Sequence, residues 1–287
     1  MPVRWHSQTP FLRMPLESLL LLVAELALLG LATGFLAGLL GIGGGMMMVP
    51  FISAILGARG VAPDLAVKMA IATSMATIIF TSVSSVRAHH QKGAVRWRIV
   101  GLLAPGIVLG ALVASLGVFT VLKGATLALV FALFVFFSAS RVLAKSNTAA
   151  TRQLPGRAGL LGAGGVIGFL SGLVGAGGGF ISVPFLAWCN VPIHAAVATS
   201  AGLGFPIALA NVAGYIASGV KAGGLPPYSL GYVWLPGLAV IASCSVPMAP
   251  LGARAAHKLP VEKLKRVFAG ILCLLGAYML HKGLSQL

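Results

Sequence analysis

A glycine-rich block occurs twice in this chain and restricts the folds that the chain can adopt. The first copy, GFLAGLLGIGGG at Gly34–Gly45, is followed by MMMVPF; the second, GFLSGLVGAGGG at Gly168–Gly179, is followed by FISVPF. The two copies lie about half a chain length apart. Three adjacent glycines within a strongly apolar region predict an interrupted helix. A repeated unit with a broken helix in each copy is typical of secondary transporters.

The composition places the chain in a membrane. Of its 287 residues, 58% are hydrophobic and 8% are charged, whereas soluble domains carry about 25% charged residues. Several apolar runs exceed the roughly 18 residues needed to cross a bilayer. The excess of 20 Lys and Arg over 4 Asp and Glu is interpreted as loop charge that orients the helices, so nucleic acid is not expected as a partner. The three cysteines have no metal-binding spacing and predict no disulfide framework.

Further landmarks recur in the same order in both halves and indicate an internal duplication. The tripeptide Ala72–Ser74 matches Ala198–Ser200, and Pro105 matches Pro236. We therefore expect a basic tail at 1–15, a first transmembrane repeat at 16–144, a linker at 145–157 and a second repeat at 158–287. The predicted apolar segments are Leu16–Leu40, Met46–Leu56, Ala66–Val86, Trp97–Leu116, Gly124–Leu143, Ala158–Val174, Phe180–Cys189, Ile193–Ala217, Tyr228–Ala249 and Val261–His281.

Each half thus contains four long segments and one short segment that covers about half of a 30 Å bilayer core. If the short segments re-enter the membrane, the number of crossings per half is even and the halves are parallel. If they cross, the number is odd and the halves are inverted. Counting basic loop residues decides neither this nor the side of the N-terminus. The short length favours re-entry, so we expect an all-α integral membrane protein with two homologous halves, about eight transmembrane helices and two short glycine-initiated helices.

The glycine triplets are the first candidate binding site. Glycine backbone turns sharply and leaves its N–H groups accessible, and consecutive N–H groups before a helix form concave anion sites. Irregular backbone at membrane depth is tolerated only where protein or a water-filled cavity surrounds it. Helix packing explains spaced glycines such as Gly34 and Gly38, but it explains an uninterrupted triplet poorly. The candidate substrate-binding glycines are Gly43, Gly44, Gly45, Gly177, Gly178 and Gly179.

Other polar residues in the apolar segments extend this candidate site. Thr73, Ser74, Thr199 and Ser200 recur in both halves and either donate to an anion or bond to their own helix. Lys68 and His194 are candidates for attracting an anion, or for anchoring at the interface. Glu25 lies within an apolar segment, which makes it a candidate for proton coupling. The pair His89 and His90 falls in a predicted basic loop, Arg87–Gly93.

The motifs GLLGIGGGMMMVPFI and GLVGAGGGFISVPFL, together with the two ATS tripeptides, resemble the TauE/SafE family of sulfite and organosulfonate exporters over nearly the whole chain. The resemblance implies a secondary carrier in the cytoplasmic membrane for sulfur-containing anions or related organic acids. It leaves the anion and the direction of transport open. The two copies also differ, because Met46–Met48 stands where the second copy has Phe180–Ser182.

We therefore expect a secondary active transporter that moves a small anion such as sulfite, thiosulfate or an organosulfonate by alternating access, coupled to an ion. A passive anion channel and a carrier of non-sulfur organic acids are the alternatives. No convergent acid, base or metal ligands suggest an enzyme, and no cofactor or metal is expected. The expected partners are the anionic substrate and the lipid bilayer, and a homodimer is allowed.

Overall fold

The computed structural model describes residues 15–40, 44–143, 153–220, 222–255 and 261–286. The predicted N-terminal tail, most of the predicted linker and Gly43 lie outside the described residues. The helices are α1 (Leu16–Leu40), α2 (Gly45–Ala58), α3 (Pro63–His90), α4 (Trp97–Leu112), α5 (Phe119–Val121), α6 (Gly124–Leu143), α7 (Arg157–Val174), α8 (Gly179–Trp188), α9 (Ile193–Gly219), α10 (Leu235–Ala255) and α11 (Val261–Leu284). A π-helical stretch, Val113–Val118, joins α4 to α5.

Six of these helices are long and apolar enough to span a membrane, within the ranges that the structure describes. They are α1, α3, α4 with its continuation to Val121, α7, α9 and α10. The described parts of α2, α6, α8 and α11 are shorter apolar helices. Exposed leucines, valines and phenylalanines of the long and the short helices cover the outside of the bundle, as expected where lipid replaces water as the solvent. The chain is an all-α, multi-pass membrane protein.

Two predicted boundaries were wrong. The segment predicted as a helix from Tyr228 begins instead with an antiparallel β-hairpin, β1 (Ser229–Leu230) and β2 (Val233–Trp234). Tyr228 and Gly231 have positive φ angles of 62° and 55°, which a helix cannot contain. The predicted basic loop is also partly helical, because α3 continues to His90. Basic residues in its last turn interact favourably with the negative end of the helix dipole.

The directions of the helices follow from contacts that recur along neighbouring helices. Three glycines of α1 meet three residues of α10 in the same order along both helices: Gly30 with Ile241, Gly34 with Ser245, and Gly38 with Ala249. Helices α1 and α10 are therefore parallel. Helices α7 and α4 are also parallel, because Gly164 meets Leu103 and Gly168 meets Ile107. In both pairs the absence of a Cβ allows the backbones to touch.

The helices α3 and α9 cross at the centre in opposite directions. Gly202 of α9 lies next to Val86 of α3, whereas Gly204 lies next to Ser82. Thr73, in the first half of α3, bonds to Trp234 at the β-hairpin. We call this end of the bundle, where residues 229–234 lie, the hairpin end, and the opposite end, where α3 finishes, the His89 end.

In the described chain, each helix runs in the direction opposite to that of the helix before it, when α5 is counted as the end of α4. Helix α2 runs back to the hairpin end. The backbone carbonyl of Ser53 in α2 accepts a hydrogen bond from Lys282 near the end of α11. The Asp64 carboxylate, which follows α2 in the chain, accepts a hydrogen bond from the Gly124 N–H at the start of α6. Each predicted half then contains five directions, which is an odd number. Helices at matching places in the two predicted halves therefore run in opposite directions.

Candidate functional site

The two glycine-rich turns meet at the centre of the bundle. Gly44 and Gly178, which precede α2 and α8, have positive φ angles of 67° and 76°, which glycine adopts without strain. A Cβ on Gly45 would overlap the carbonyl oxygen of Gly175. The Ser74 hydroxyl lies 3.0 Å from that oxygen and 3.3 Å from the Gly45 oxygen. Ser74 therefore ties one turn to the other.

The second turn has a serine chain of its own. Ser182 in α8 donates to the Gly178 carbonyl at 3.0 Å, and its oxygen lies 2.7 Å from the hydroxyl oxygen of Ser200 in α9. With the Ser182 proton on Gly178, Ser200 is the donor between the two serines. The predicted site residues Gly178 and Ser200 are therefore linked through a residue that the sequence analysis did not single out.

The two predicted threonines hold the starts of helices instead. The backbone N–H of Trp234, just before α10, donates to Thr73 Oγ1 at 3.0 Å. The N–H of Arg96, just before α4, donates to Thr199 Oγ1 at 3.1 Å. Both threonines are fully buried. An N–H at a helix start has no carbonyl partner within its helix, and each threonine supplies that partner from the other predicted half.

A small cavity lies where α3 crosses α9. It is lined by Ala37, Thr81, Ser82, Ser85, Gly177, Ser200, Ala201 and Gly204. Its volume of about 10 Å³ is enough for about one water molecule. The Ser85 hydroxyl is buried and has no hydrogen-bond partner among the described residues. A buried hydroxyl without a partner is unfavourable. The cavity contains two predicted site residues, Gly177 and Ser200.

The two predicted anion-attracting residues occupy different environments. Lys68 is buried near the hairpin end, with Nζ 3.4 Å from the Thr120 carbonyl and 5.9 Å from the ring centres of Phe119 and Tyr232. Burial, and then the charge of Asp64, raises the pKa of Tyr232. Lys68 precedes the cavity residue Thr81 by about 20 Å along α3. His194 is instead exposed at the start of α9, at the His89 end.

Glu25 lies away from the cavity. Its side chain is exposed on the outer face of α1, about 18 Å along that helix from the cavity residue Ala37. Arg59, in the loop between α2 and α3, is its electrostatic partner. Burial lowers the pKa of Arg59, and the negative charge of Glu25 opposes this shift. Among the predicted site residues that the structure describes, none is brought together with Glu25.

Sequence reasoning missed the polar residues on the second half of α3. Thr81, Ser82 and Ser85 line the cavity, and His89 follows Ser85 by one helical turn. A signal was present, because polar residues recur at every fourth position: Thr73, Thr77, Thr81, Ser85 and His89. All five are at most 3% exposed. Consecutive members of this series lie on adjacent turns and turn by about 40° from one to the next, so they form a stripe that winds slowly around the helix.

Metal binding and disulfides have no support in the described residues. Those ranges contain no group of three His, Cys, Asp or Glu side chains arranged to hold a metal ion. Cys189, Cys244 and Cys273 form no disulfide. The polar side chains that line the cavity are the hydroxyl groups of Thr81, Ser82, Ser85 and Ser200.

Comparison with known proteins decides the family. The model of the family described as "Sulfite exporter TauE/SafE" matches residues 26–279. The chain belongs to this family. Its TauE/SafE relatives include a "Probable membrane transporter protein" of Haemophilus influenzae, 35% identical over 89% of this chain and 97% of the relative. A "Probable membrane transporter protein" of Methanocaldococcus jannaschii is 30% identical over 91% of this chain and 96% of the relative. No solved structure matches the chain.

The family membership makes this chain a membrane transporter of the TauE/SafE type. The described geometry brings the central cavity, the start of α8 and the contact between the glycine turns into one region of this transporter. It leaves Glu25, Lys68 and His194 outside that region, and Gly43 is outside the described residues.

Proposed function

We propose that this TauE/SafE transporter carries a small anion across the cytoplasmic membrane, and that the central cavity is where the anion binds. The sulfite exporter description of the family makes sulfite, thiosulfate and organosulfonates the leading substrates. The observation that carries the proposal is Ser85, which lines the cavity and whose buried hydroxyl has no hydrogen-bond partner among the described residues. Ser200 and Gly177 stand in the same cavity wall.

The chemistry of this region suits an anion. Hydroxyl groups can donate hydrogen bonds to anion oxygens, and such bonds to a charged group are about twice as strong as neutral ones. The start of α8, which follows Gly177 and Gly178, has a partial positive charge. The net charge of +16 attracts anions to the surface around it. No side chain in the cavity wall is charged, so recognition rests on donors and the helix dipole.

The cavity in the described conformation has room for about one water molecule, whereas sulfite contains four non-hydrogen atoms. Substrate entry therefore requires α3 and α9 to separate. We propose that this separation is the alternating-access step and that the two predicted halves are inverted repeats that move against each other. Support comes from the opposite directions of matching helices and from the matching bonds of Thr73 and Thr199 across the halves. Transporters built from inverted repeats bind substrate between them at mid-membrane depth.

The test is transport by purified protein in liposomes. Labelled sulfite, thiosulfate, taurine, sulfoacetate and acetate are each offered outside, with or without the same unlabelled anion inside. A carrier predicts saturable uptake that internal anion accelerates. Flux that is neither saturable nor accelerated would identify a channel, and flux of acetate alone would assign a non-sulfur substrate. Absence of flux for all five would overturn the proposal.

Ser85→Ala connects that flux to the cavity. Loss of one hydrogen bond to a charged ligand costs about 1.5–3 kcal/mol, so we expect the half-saturating anion concentration to rise at least tenfold. Folding should be unaffected, because this hydroxyl has no partner among the described residues to lose. Ser138→Ala is the matched control: Ser138 is equally buried but bonds to Phe134 within α6. Equal half-saturating concentrations in the two variants would place the site elsewhere.

A further inference from the structure

Two buried polar atoms beside the second glycine turn have no hydrogen-bond partner among the described residues. They are Oδ1 of Asn211 in α9 and Oγ of Ser171 in α7, and both side chains are fully buried. The other polar atom of Asn211 lies 2.8 Å from the Ile207 carbonyl. Because a carbonyl only accepts, that atom is the amide nitrogen, and the atom without a partner is the oxygen. Asn211 therefore has a buried acceptor that nothing in the described chain satisfies.

Both oxygens lie at the C-terminal end of α7. A Cβ on Gly172 would overlap Asn211 Oδ1, and a Cβ on Gly178 would lie 3.4 Å from Ser171 Oγ. Helix α7 ends at Val174. The last turn of a helix has carbonyl groups without partners in that helix, and it has a partial negative charge. The negative end of the α7 dipole and the two oxygens therefore occupy the same place.

The elements around these oxygens offer neutral ligands. Helices α7 and α9 and the π-helical stretch Val113–Val118 contain no acidic side chain. Ala114 of this stretch lies against Gly172, and Ser115 lies against Gly214, so the stretch packs beside both helices that carry the oxygens. π-Helical turns are frequent at functional sites.

Neutral oxygens at the negative end of a helix suit a monovalent cation. Oxygen atoms are the ligands of hard cations, and calcium and magnesium sites in proteins use carboxylates among them. In secondary transporters, the C-terminal ends of interrupted helices coordinate Na⁺, whereas the N-terminal ends point at anionic groups of the substrate. Helices α7 and α8 are the two parts of such an interrupted helix. The end of α7 adjoins Asn211, and the start of α8 follows the cavity residue Gly177.

We propose that Asn211 and Ser171 bind the Na⁺ ion that drives this transporter. The ligands are Asn211 Oδ1, Ser171 Oγ and backbone carbonyls at the end of α7. Because Oδ1 lies directly against Gly172, the ion enters when α9 moves away from α7, in the same movement of α9 that opens the cavity. This inference rests on the proposed function and assigns ion coupling to this place instead of to Glu25, which is exposed on the outer face of α1.

The two ions then occupy opposite sides of one helix break. The anion lies at the start of α8 and Na⁺ lies at the end of α7, and packed helices separate both from water. Charge interactions are stronger there than in water, so each ion stabilises the other. By linkage, Na⁺ raises the affinity for the anion by the same factor as the anion raises the affinity for Na⁺.

The first test measures what drives accumulation of labelled thiosulfate by the wild type in liposomes. An inward Na⁺ gradient should drive accumulation, whereas a K⁺ gradient of the same size should not. Saturating Na⁺ should lower the half-saturating thiosulfate concentration about tenfold, which is within the usual range of coupling between two sites.

Substitutions connect this dependence to the site. Ser171→Ala removes one oxygen ligand, so we expect the half-saturating Na⁺ concentration to rise about tenfold. Asn211→Leu should abolish the Na⁺ dependence, whereas Asn211→Asp keeps an oxygen at the same place and should retain it. Ser138→Ala is the matched control, because Ser138 is also buried and bonds to Phe134 within α6. It should have the half-saturating Na⁺ concentration of wild type.

Thiosulfate transport by the wild type that does not depend on Na⁺ would overturn the inference, as would equal half-saturating Na⁺ concentrations in Ser171→Ala and Ser138→Ala. A buried water would then be the partner of the two oxygens. Calorimetry on the purified wild type covers variants that do not fold: in the presence of thiosulfate, Na⁺ should bind in a one-to-one ratio with the chain, and the absence of saturable binding would contradict the site. Exchange of thiosulfate without Na⁺ dependence overturns this inference alone, whereas the absence of exchange under every condition overturns the proposed function.

Discussion

At the scale of single residues, the hydroxyl groups of α3 and α9 divide into two kinds. Thr73 and Thr199 accept backbone N–H groups from the other predicted half, whereas Ser85 and Ser200 line the cavity. Sequence motifs placed Thr199 and Ser200 in one predicted site because they are adjacent in the chain. Adjacent residues on a helix point about 100° apart, so they contact different partners.

The threonines lead to a prediction about stability. Thr73→Val leaves the buried Trp234 N–H without its acceptor, which costs about 1–3 kcal/mol, and Thr199→Val removes the acceptor of the part-buried Arg96 N–H, with a smaller cost. We expect each variant to unfold in detergent several degrees below wild type, while Thr73→Ser stays near it. Thr77→Val is the control, because among the described residues the Thr77 hydroxyl bonds to the Thr73 carbonyl of its own helix and to no other helix. A midpoint for Thr73→Val no lower than that of the control would contradict the assigned role.

The predicted glycines also divide by role. Gly44 and Gly178 provide positive φ angles, and Gly45 provides space for the Gly175 carbonyl, so these three shape the turns. Gly177 faces the cavity. A bulky side chain at Gly44 or Gly178 would therefore strain the backbone as well as alter the site, which makes substitution at Ser85 the cleaner test of binding.

At the scale of helices, close packing depends on a few glycines whose position the sequence does not distinguish. In α7, a Cβ on Gly168 would overlap the Ile107 backbone of α4, whereas a Cβ on Gly162 would contact nothing within 4 Å. Both have the same chemistry and lie in the same helix. Their difference arises only because one face of α7 packs on α4.

This contrast predicts opposite effects of the same substitution. Gly162→Ala should raise the thermal unfolding midpoint slightly or leave it unchanged, because alanine favours a helix by about 0.8–1 kcal/mol over glycine. Gly168→Ala should lower the midpoint and the folded yield, because α7 must move away from α4. The measurement is thermal unfolding of both purified variants in one detergent. A Gly168→Ala midpoint at or above that of Gly162→Ala would contradict the described packing.

At the scale of the whole molecule, the order of helix directions defines which loops share a side of the membrane. The residue before α3, Ala62, is at the hairpin end, and the residue before α9, Pro192, is at the His89 end. Both are exposed. Parallel halves would instead place these two equivalent loops on the same side.

Labelling of single cysteines tests this arrangement. In a background with Cys189→Ser, Cys244→Ser and Cys273→Ser, we expect Ala62→Cys and Pro192→Cys to react with an impermeant maleimide from opposite sides of the membrane. Leu230→Cys, exposed in the hairpin, should share the side of Ala62→Cys and serves as the control. Reaction of Ala62→Cys and Pro192→Cys from one side would show that the halves are parallel.

The sequence by itself determined the features that depend on local chemistry. Apolar composition and run length specified a helical membrane protein, and α1 and α6 begin and end at the predicted residues. The glycine triplets marked the two helix breaks, because three residues without Cβ atoms disfavour a continuous helix. The same motifs identified the TauE/SafE family.

Only the tertiary structure decided the directions of the helices and the roles of individual residues. Basic loop charges were too evenly distributed to choose a topology, whereas contacts such as those of α1 with α10 specify it directly. The burial of His89, the contact of Ser74 with Gly175 and the cavity between α3 and α9 all join residues that are distant in sequence or depend on which helix faces meet. Helical periodicity defines a face, but the partner of that face is determined by packing across the whole chain.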